Sequence, residues 1–244
     1  MNVLSSLCSA QRAPGTAIVL GLVVMIICLI LYPGGWLIDT GDPLDFEQTI
    51  RAFTENDNLT HALSFVVILC SLLISYGIFS FWRLQGPSGS LGHSMLRFGI
   101  LVNLFHYGIY ILTMGTRHLL VAVAQHAESL ADPAGAPDLM LVLHATSGGL
   151  YFGFITISSI SGILVGIGLA RRFSSLNLTS AACWVFGLAG VAGLVNVVVG
   201  QQAEVDPEAF IMASNIVLFV AAAALLLIGI GVIRGEKELI PEDD

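Results

Sequence analysis

IMASNIVLFVAAAALLLIGIGVI, residues 211–233, holds no charged side chain across 23 positions. As an α-helix rising about 1.5 Å per residue it extends roughly 35 Å, enough to cross the roughly 30 Å hydrocarbon core of a bilayer. Five further stretches share its character, at about 17–38, 60–82, 94–116, 139–169 and 180–200. The chain of 244 residues is 56% hydrophobic and 11% charged, with a mean hydropathy of +0.88. Soluble domains carry about 25% charged residues, so a water-soluble globule is excluded. The expected fold is all-α: one integral membrane domain over residues 1–244, a polytopic membrane helix bundle with six transmembrane helices, the sixth at 209–233. The lipid bilayer is therefore its first partner.

Charge narrows the partners further. Nucleic-acid binding draws on many Lys and Arg contacts to phosphate, and this chain has nine such residues with a net charge of -8. Nucleic acid is excluded. Cys28, Cys70 and Cys183 lie inside apolar stretches and Cys8 stands alone, so neither a disulfide framework nor a Cys-x-x-Cys metal motif is present. The stretch from Ala17 to Tyr32 has the look of a signal peptide, but no small-x-small cleavage site follows it. It runs instead into Pro33, Gly34, Gly35 and Trp36, a helix-ending turn, and reads as an uncleaved first span.

Lys and Arg are retained on the cytoplasmic side of a membrane, while Asp and Glu count for little. With the N-terminus inside, Arg12, Arg83, Arg97, Arg171, Arg172, Arg234 and Lys237 fall at the cytoplasmic face, and only Arg51 and Arg117 fall outside. Six spans then put both termini in the cytoplasm, in a bacterial inner (plasma) membrane. Twelve of the seventeen acids lie outside, among them Asp39, Asp57, Asp138 and Glu208. The outer loop 39–59 sets Pro43, Leu44, Phe46, Ile50 and Phe53 among acids. Such a pattern predicts a short amphipathic helix at the membrane surface, and its plainest role is a solvated cap.

Polar side chains inside a span face the bundle or water, because lipid offers them no partner. On the second span His61, Ser64, Ser71 and Ser75 form one stripe; on the third, Asn103, His106, Tyr110, Thr113 and Arg117; on the fourth, His144, Ser147, Tyr151 and Ser158. Turning the three stripes towards one another gives a polar pocket lined by His61, Asn103, His106, Tyr110, Arg117, His144 and Tyr151. The serines also suit plain interhelical hydrogen bonding. Arg117 calls for either an outer carboxylate or an anionic substrate. The fifth and sixth spans, with Gly187, Gly190, Gly193 and Ala221 to Ala224, read as closely packed scaffold.

Imidazole is the commonest transition-metal ligand. His61, His118 and His144 all fall within a turn or two of the outer surface by the helical rise, which makes them a candidate metal set. Asp57 shares the face of His61 if that helix begins early. Haem is the other cofactor these residues suggest, with His144 as ligand, Gly148 and Gly149 leaving room and Arg117 near the propionates. His106 sits deeper than His144 by the same rise, which spoils their pairing.

The segment Ala145 to Tyr151, ATSGGLY, is similar to the serine motif of rhomboid proteases. That dyad needs a later histidine, and none follows His144, so nucleophilic proteolysis is rejected. Over most of its length the layout resembles a bacterial family of six-helix integral membrane proteins of unknown function. The features it shares are a long polar loop after the first span, Arg97 opening the third, and the Arg171–Arg172 turn after the fourth. The resemblance implies the architecture and no catalytic residues.

The expected function is therefore a non-enzymatic one. The second to fourth spans bind or pass a small molecule or ion through a polar pocket open to the outside, or the chain acts as an accessory subunit beside partner membrane subunits. The alternative is a membrane oxidoreductase subunit that holds haem or a transition metal through histidines near the outer face. The topology is open to direct test in spheroplasts: a membrane-impermeant maleimide should label Asp42→Cys from outside and label Lys237→Cys only after permeabilisation. The reverse pattern would invert the assignment.

Overall fold

The computed structural model describes residues 11–42, 44–84, 90–202 and 204–241; Cys8 and Pro43 lie outside them. Among the described residues the chain is all-helical, with no strand and a single isolated bridge between Pro33 and Ile38. The helices are α1 (Ala13–Ile30), α2 (Phe46–Glu55), α3 (Asp57–Ser80), α4 (Leu91–Gln125), α5 (Ala136–Ala170), α6 (Leu178–Gly200) and α7 (Pro207–Arg234). All except α2 are long and apolar enough to cross a membrane. Only 33% to 50% of the most apolar window of each is buried, so the rest is apolar surface of an extent that water does not tolerate and lipid does.

Helix boundaries follow local chemistry. α1 stops at Ile30, short of the expected end at 38, because Pro33 offers no backbone donor and Gly34 takes a left-handed φ of 73°. Gly34 N–H then donates to Ile38 O at 2.9 Å, closing a tight turn. α2 is the amphipathic helix expected in the loop; its N-cap Asp45 accepts from Gln48 N–H at 2.9 Å, and Ala52 and Phe53 are buried. α7 opens on Asp206 and Pro207 and ends at Gly235, whose φ of 85° lets Glu236 N–H reach Gly231 O at 3.1 Å. Pro just inside the start and Gly just past the end are local signals that set both ends of this helix beyond the 209–233 read from hydropathy.

α4 departs most from expectation: it runs on past Thr116 to Gln125. The segment 117–125, RHLLVAVAQ, has neither Gly nor Pro, so charge at Arg117 and His118 marks where the apolar stretch ends and not where the helix does. At 35 residues, α4 and α5 each extend about 52 Å at about 1.5 Å per residue. They exceed the hydrocarbon core and must tilt or project from it.

By their internal contacts the described residues divide into two units. The first takes those within Met1–Leu22, Leu72–Tyr107 and Ile155–Asp244. Small residues bring its backbones together: a Cβ on Gly190 would lie 2.5 Å from Ser159 O, and one on Gly15 would lie 2.6 Å from Gly229 O. The glycine face read from Gly187 and Gly190 is thus a close-packing face against α5. Polar ties accompany it, with Asn196 Nδ2 donating to Ser214 Oγ at 2.9 Å and Arg172 Nε to Glu238 O at 2.7 Å. The second unit, Val23–Ser71 and Gly108–Phe154, contains α2 and the helical segments around it. There Phe53 and Tyr32 are buried, and Thr60 Oγ1 donates to Phe53 O at 3.1 Å.

Overpacking a tight backbone contact costs about 1–3 kcal/mol. Gly190→Val should therefore lower the thermal stability of the detergent-purified protein clearly, whereas Gly148→Ala, with nothing within 4 Å of its Cβ position, should leave it close to wild type. Light-scattering or fluorescence melting curves would separate the two.

Candidate functional site

In the second unit α2 lays Phe53 against Tyr32, edge to face with ring centroids 5.5 Å apart. Tyr32 comes from the turn that ends α1, and its hydroxyl is fixed by Ser64 Oγ of α3 at 2.7 Å. These two rings meet the guanidinium of Arg117, whose Cζ lies 5.3 Å from the Tyr32 centroid and 5.7 Å from that of Phe53. Arg117 Nε donates to Ser147 Oγ of α5 at 3.3 Å. Its terminal nitrogens have no hydrogen-bond partner and no carboxylate within ion-pair distance among the described residues. Of the two partners the sequence offered Arg117, the outer carboxylate is thus not the one found there.

His144 packs on the other side of the same aromatic group, its ring centroid 4.8 Å from Phe46 and 6.2 Å from Phe53. Its Nδ1 is buried and has no hydrogen-bond partner among the described residues. Arg117 lies within electrostatic reach of both His144 and Tyr151. Phe154 stacks with Tyr110 at 4.5 Å and with Tyr151 at 5.8 Å. The result is a half-buried cation among aromatic faces, with an imidazole and two phenols on neighbouring turns.

A separate chain of polar groups joins α3 to α4. Gln125 Nε2 donates to Asp57 Oδ2 at 2.8 Å, and Gln125 Oε1 faces His61 Nε2 at 3.2 Å. His61 Nδ1 lies 2.6 Å from His118 Nδ1. A carboxylate only accepts, so the amide must turn its NH2 towards Asp57 and its oxygen towards His61. In the neutral pair His61 therefore carries its proton on Nε2, its Nδ1 accepts, and His118 donates from Nδ1. α3 does begin at Asp57, four residues before His61, which sets this carboxylate on the histidine's face.

Of the residues read from the sequence, Tyr110, Arg117, His144 and Tyr151 belong to the aromatic–cation group. His61 pairs with His118. Asn103 and His106 fall in the first unit: Asn103 Nδ2 donates to Ser161 Oγ at 3.1 Å, and His106 lies against the Tyr107 ring at 4.1 Å. Asn103 there serves helix–helix bonding, with Ser161 also reaching Gly99 O at 3.4 Å.

The three-histidine metal set is not assembled. His144 is held by Phe46 and Phe53, and no group of three or more His, Cys, Asp or Glu suited to a metal ion occurs among the described residues. The cause is α2, which places its aromatic rings against His144. The same two rings pack on the histidine from which the haem reading starts, with Phe46 4.8 Å and Phe53 6.2 Å from the His144 ring. Tyr32, Phe46, Phe53 and Gln125 were not read as site residues. Only the aromatic spacing Phe46 to Phe53, one face of a short helix, carried a signal.

No protein family, curated protein or solved structure matches the chain, so the site rests on its own geometry. Phe53 is 3% exposed and touches Arg117, Tyr32 and His144. Truncating such a ring costs about 3–5 kcal/mol. Denaturation in detergent should show a loss of that size for Phe53→Ala, and a change of no more than about 0.5 kcal/mol for Ser129→Ala in an exposed turn.

Proposed function

We propose that this chain is an integral membrane protein that binds a small anion, carboxylate or phosphate in character, at Arg117. The observation that carries this reading is a half-buried guanidinium whose terminal nitrogens have no hydrogen-bond partner or carboxylate among the described residues. A positive charge withdrawn from water is costly, by about 2.5–3.5 kcal/mol at the centre of a spanning helix. The faces of Tyr32 and Phe53 offset part of this, at about 0.5–2 kcal/mol for a cation over a ring. A bidentate oxyanion supplies the remainder, because the planar fork of Arg matches two oxygens.

Ser147 fixes the guanidinium through Nε and so leaves the other edge of the fork to the ligand. His144, with Nδ1 buried and unbonded, and the Tyr151 hydroxyl supply further polar groups near the charge. This is the ligand-binding reading of the polar faces of α3, α4 and α5, now centred on Arg117 and taking in the aromatic rings of α2. With Arg117 on the outer side, as the distribution of Lys and Arg implies, the anion enters from outside the cell.

The test is binding by the purified, delipidated protein. A ligand at 100 times its Kd stabilises the folded state by about 2.7 kcal/mol, which appears as a rise of several degrees in melting temperature. Soluble carboxylates and inorganic phosphate form one arm, and anionic phospholipid in nanodiscs, read by native mass spectrometry, forms the other. At least one should bind to wild type, weaken about tenfold or more in Arg117→Lys and vanish in Arg117→Met, given the 1.5–3 kcal/mol of a charged hydrogen bond. Equal responses of wild type and Arg117→Met to every anion would overturn the reading.

A further inference from the structure

The His61–His118 pair has a geometry that the anion site does not use. Two imidazoles on different helices point their Nδ1 atoms at each other across 2.6 Å. The Asp57–Gln125 chain holds the other nitrogen of His61 as a donor, which keeps the Nδ1 lone pair directed at His118. An oxygen acceptor on the distal N–H is the usual outer support of a metal-bound histidine; it sets the tautomer and raises the basicity of the ligating nitrogen. We propose that His61 and His118 form a two-imidazole site for a divalent transition metal, with Gln125 and Asp57 as its supporting groups.

The distances allow it. At metal–nitrogen bonds of about 2.0 Å two cis nitrogens of a tetragonal ion sit roughly 2.8 Å apart. The rings must then separate by about 0.2 Å from their present contact, within the reach of small side-chain rotations. The proton balance also closes. His118 gives up the Nδ1–H that it donates to His61 and takes a proton at Nε2, so both Nδ1 lone pairs face the metal and the neutral pair releases no proton. His118 is exposed, which gives an ion and the new N–H access to water.

No third His, Cys, Asp or Glu joins the pair among the described residues, so water or an external ligand fills the other positions. Two imidazoles with oxygen ligands favour Cu(II) over Ni(II) and Zn(II), following the stability order of these ions. His144, the third member of the set expected from sequence, takes no part.

The experiment uses the full chain, purified without a histidine tag, treated with chelator and titrated with Cu(II). Wild type should bind one equivalent, and its electron paramagnetic resonance spectrum should show coupling to two imidazole nitrogens. His118→Gln and His61→Ala should each lose at least tenfold in affinity, and Gln125→Leu about 10–100-fold, the usual cost of removing a supporting group. Arg117→Met should bind copper as wild type does, which keeps this site separable from the anion site. Coupling to fewer than two nitrogens in wild type, or copper uptake unchanged in a His61→Ala, His118→Gln double variant, would overturn the proposal.

Discussion

Hydrocarbon offers no hydrogen bonds, and that one fact governs this chain at every level. It forces the backbone into helices that satisfy their own donors and acceptors. It also forces each polar side chain to find a partner within the protein. Ser71 and Thr113 meet the demand by bonding back to Val67 O and Ile109 O of their own helices, and Asn196 by crossing from α6 to Ser214 of α7. Arg117 meets it only in part, which is why it stands out from the other polar residues on the same stripe.

The two units answer this constraint differently. In the first, apolar helices gain nothing from leaving lipid for one another, so association rests on close contact of backbones, and glycine permits it. Gly15, Gly99, Gly166 and Gly190 all sit where a side chain would collide with a neighbouring helix. In the second, Gly108, Gly115, Gly148 and Gly149 have open space beside them, and order comes from aromatic rings and polar chains. Ring contacts of this kind, each worth about 0.5–1.5 kcal/mol beyond burial, tolerate more variety of shape than a glycine seam.

The six spans were legible because a continuous apolar run has one physical outcome; the caps at Asp45, Asp206 and Gly235 have chemistry just as local but were not read. The end of α4 was not legible, since polarity reports where lipid ends while the helix obeys backbone propensity through Gln125. Periodicity also told which residues share a face but not what that face meets. Arg117 and Asn103 lie on one stripe, yet Asn103 bonds Ser161 in the first unit while Arg117 meets Tyr32 and Phe53 in the second. Those two rings come from a turn and a loop helix, positions to which a reading of transmembrane stripes assigns no role. His144 was grouped with His61 and His118 by depth alone, and depth carries no information about the rings that α2 brings against it.

Only Asn56 separates α2 from α3, and it is tied on both sides: its Nδ2 donates to Ala52 O at 3.0 Å, and its carbonyl accepts from Thr60 N–H at 2.9 Å. A one-residue corner with so little slack acts as a lever. Tilting α2 to lift Phe53 off the guanidinium must either break these ties or drag Asp57 along, and Asp57 anchors the amide that orients His61. Any movement of α2 is thus passed through a single backbone joint to the residue that opens α3.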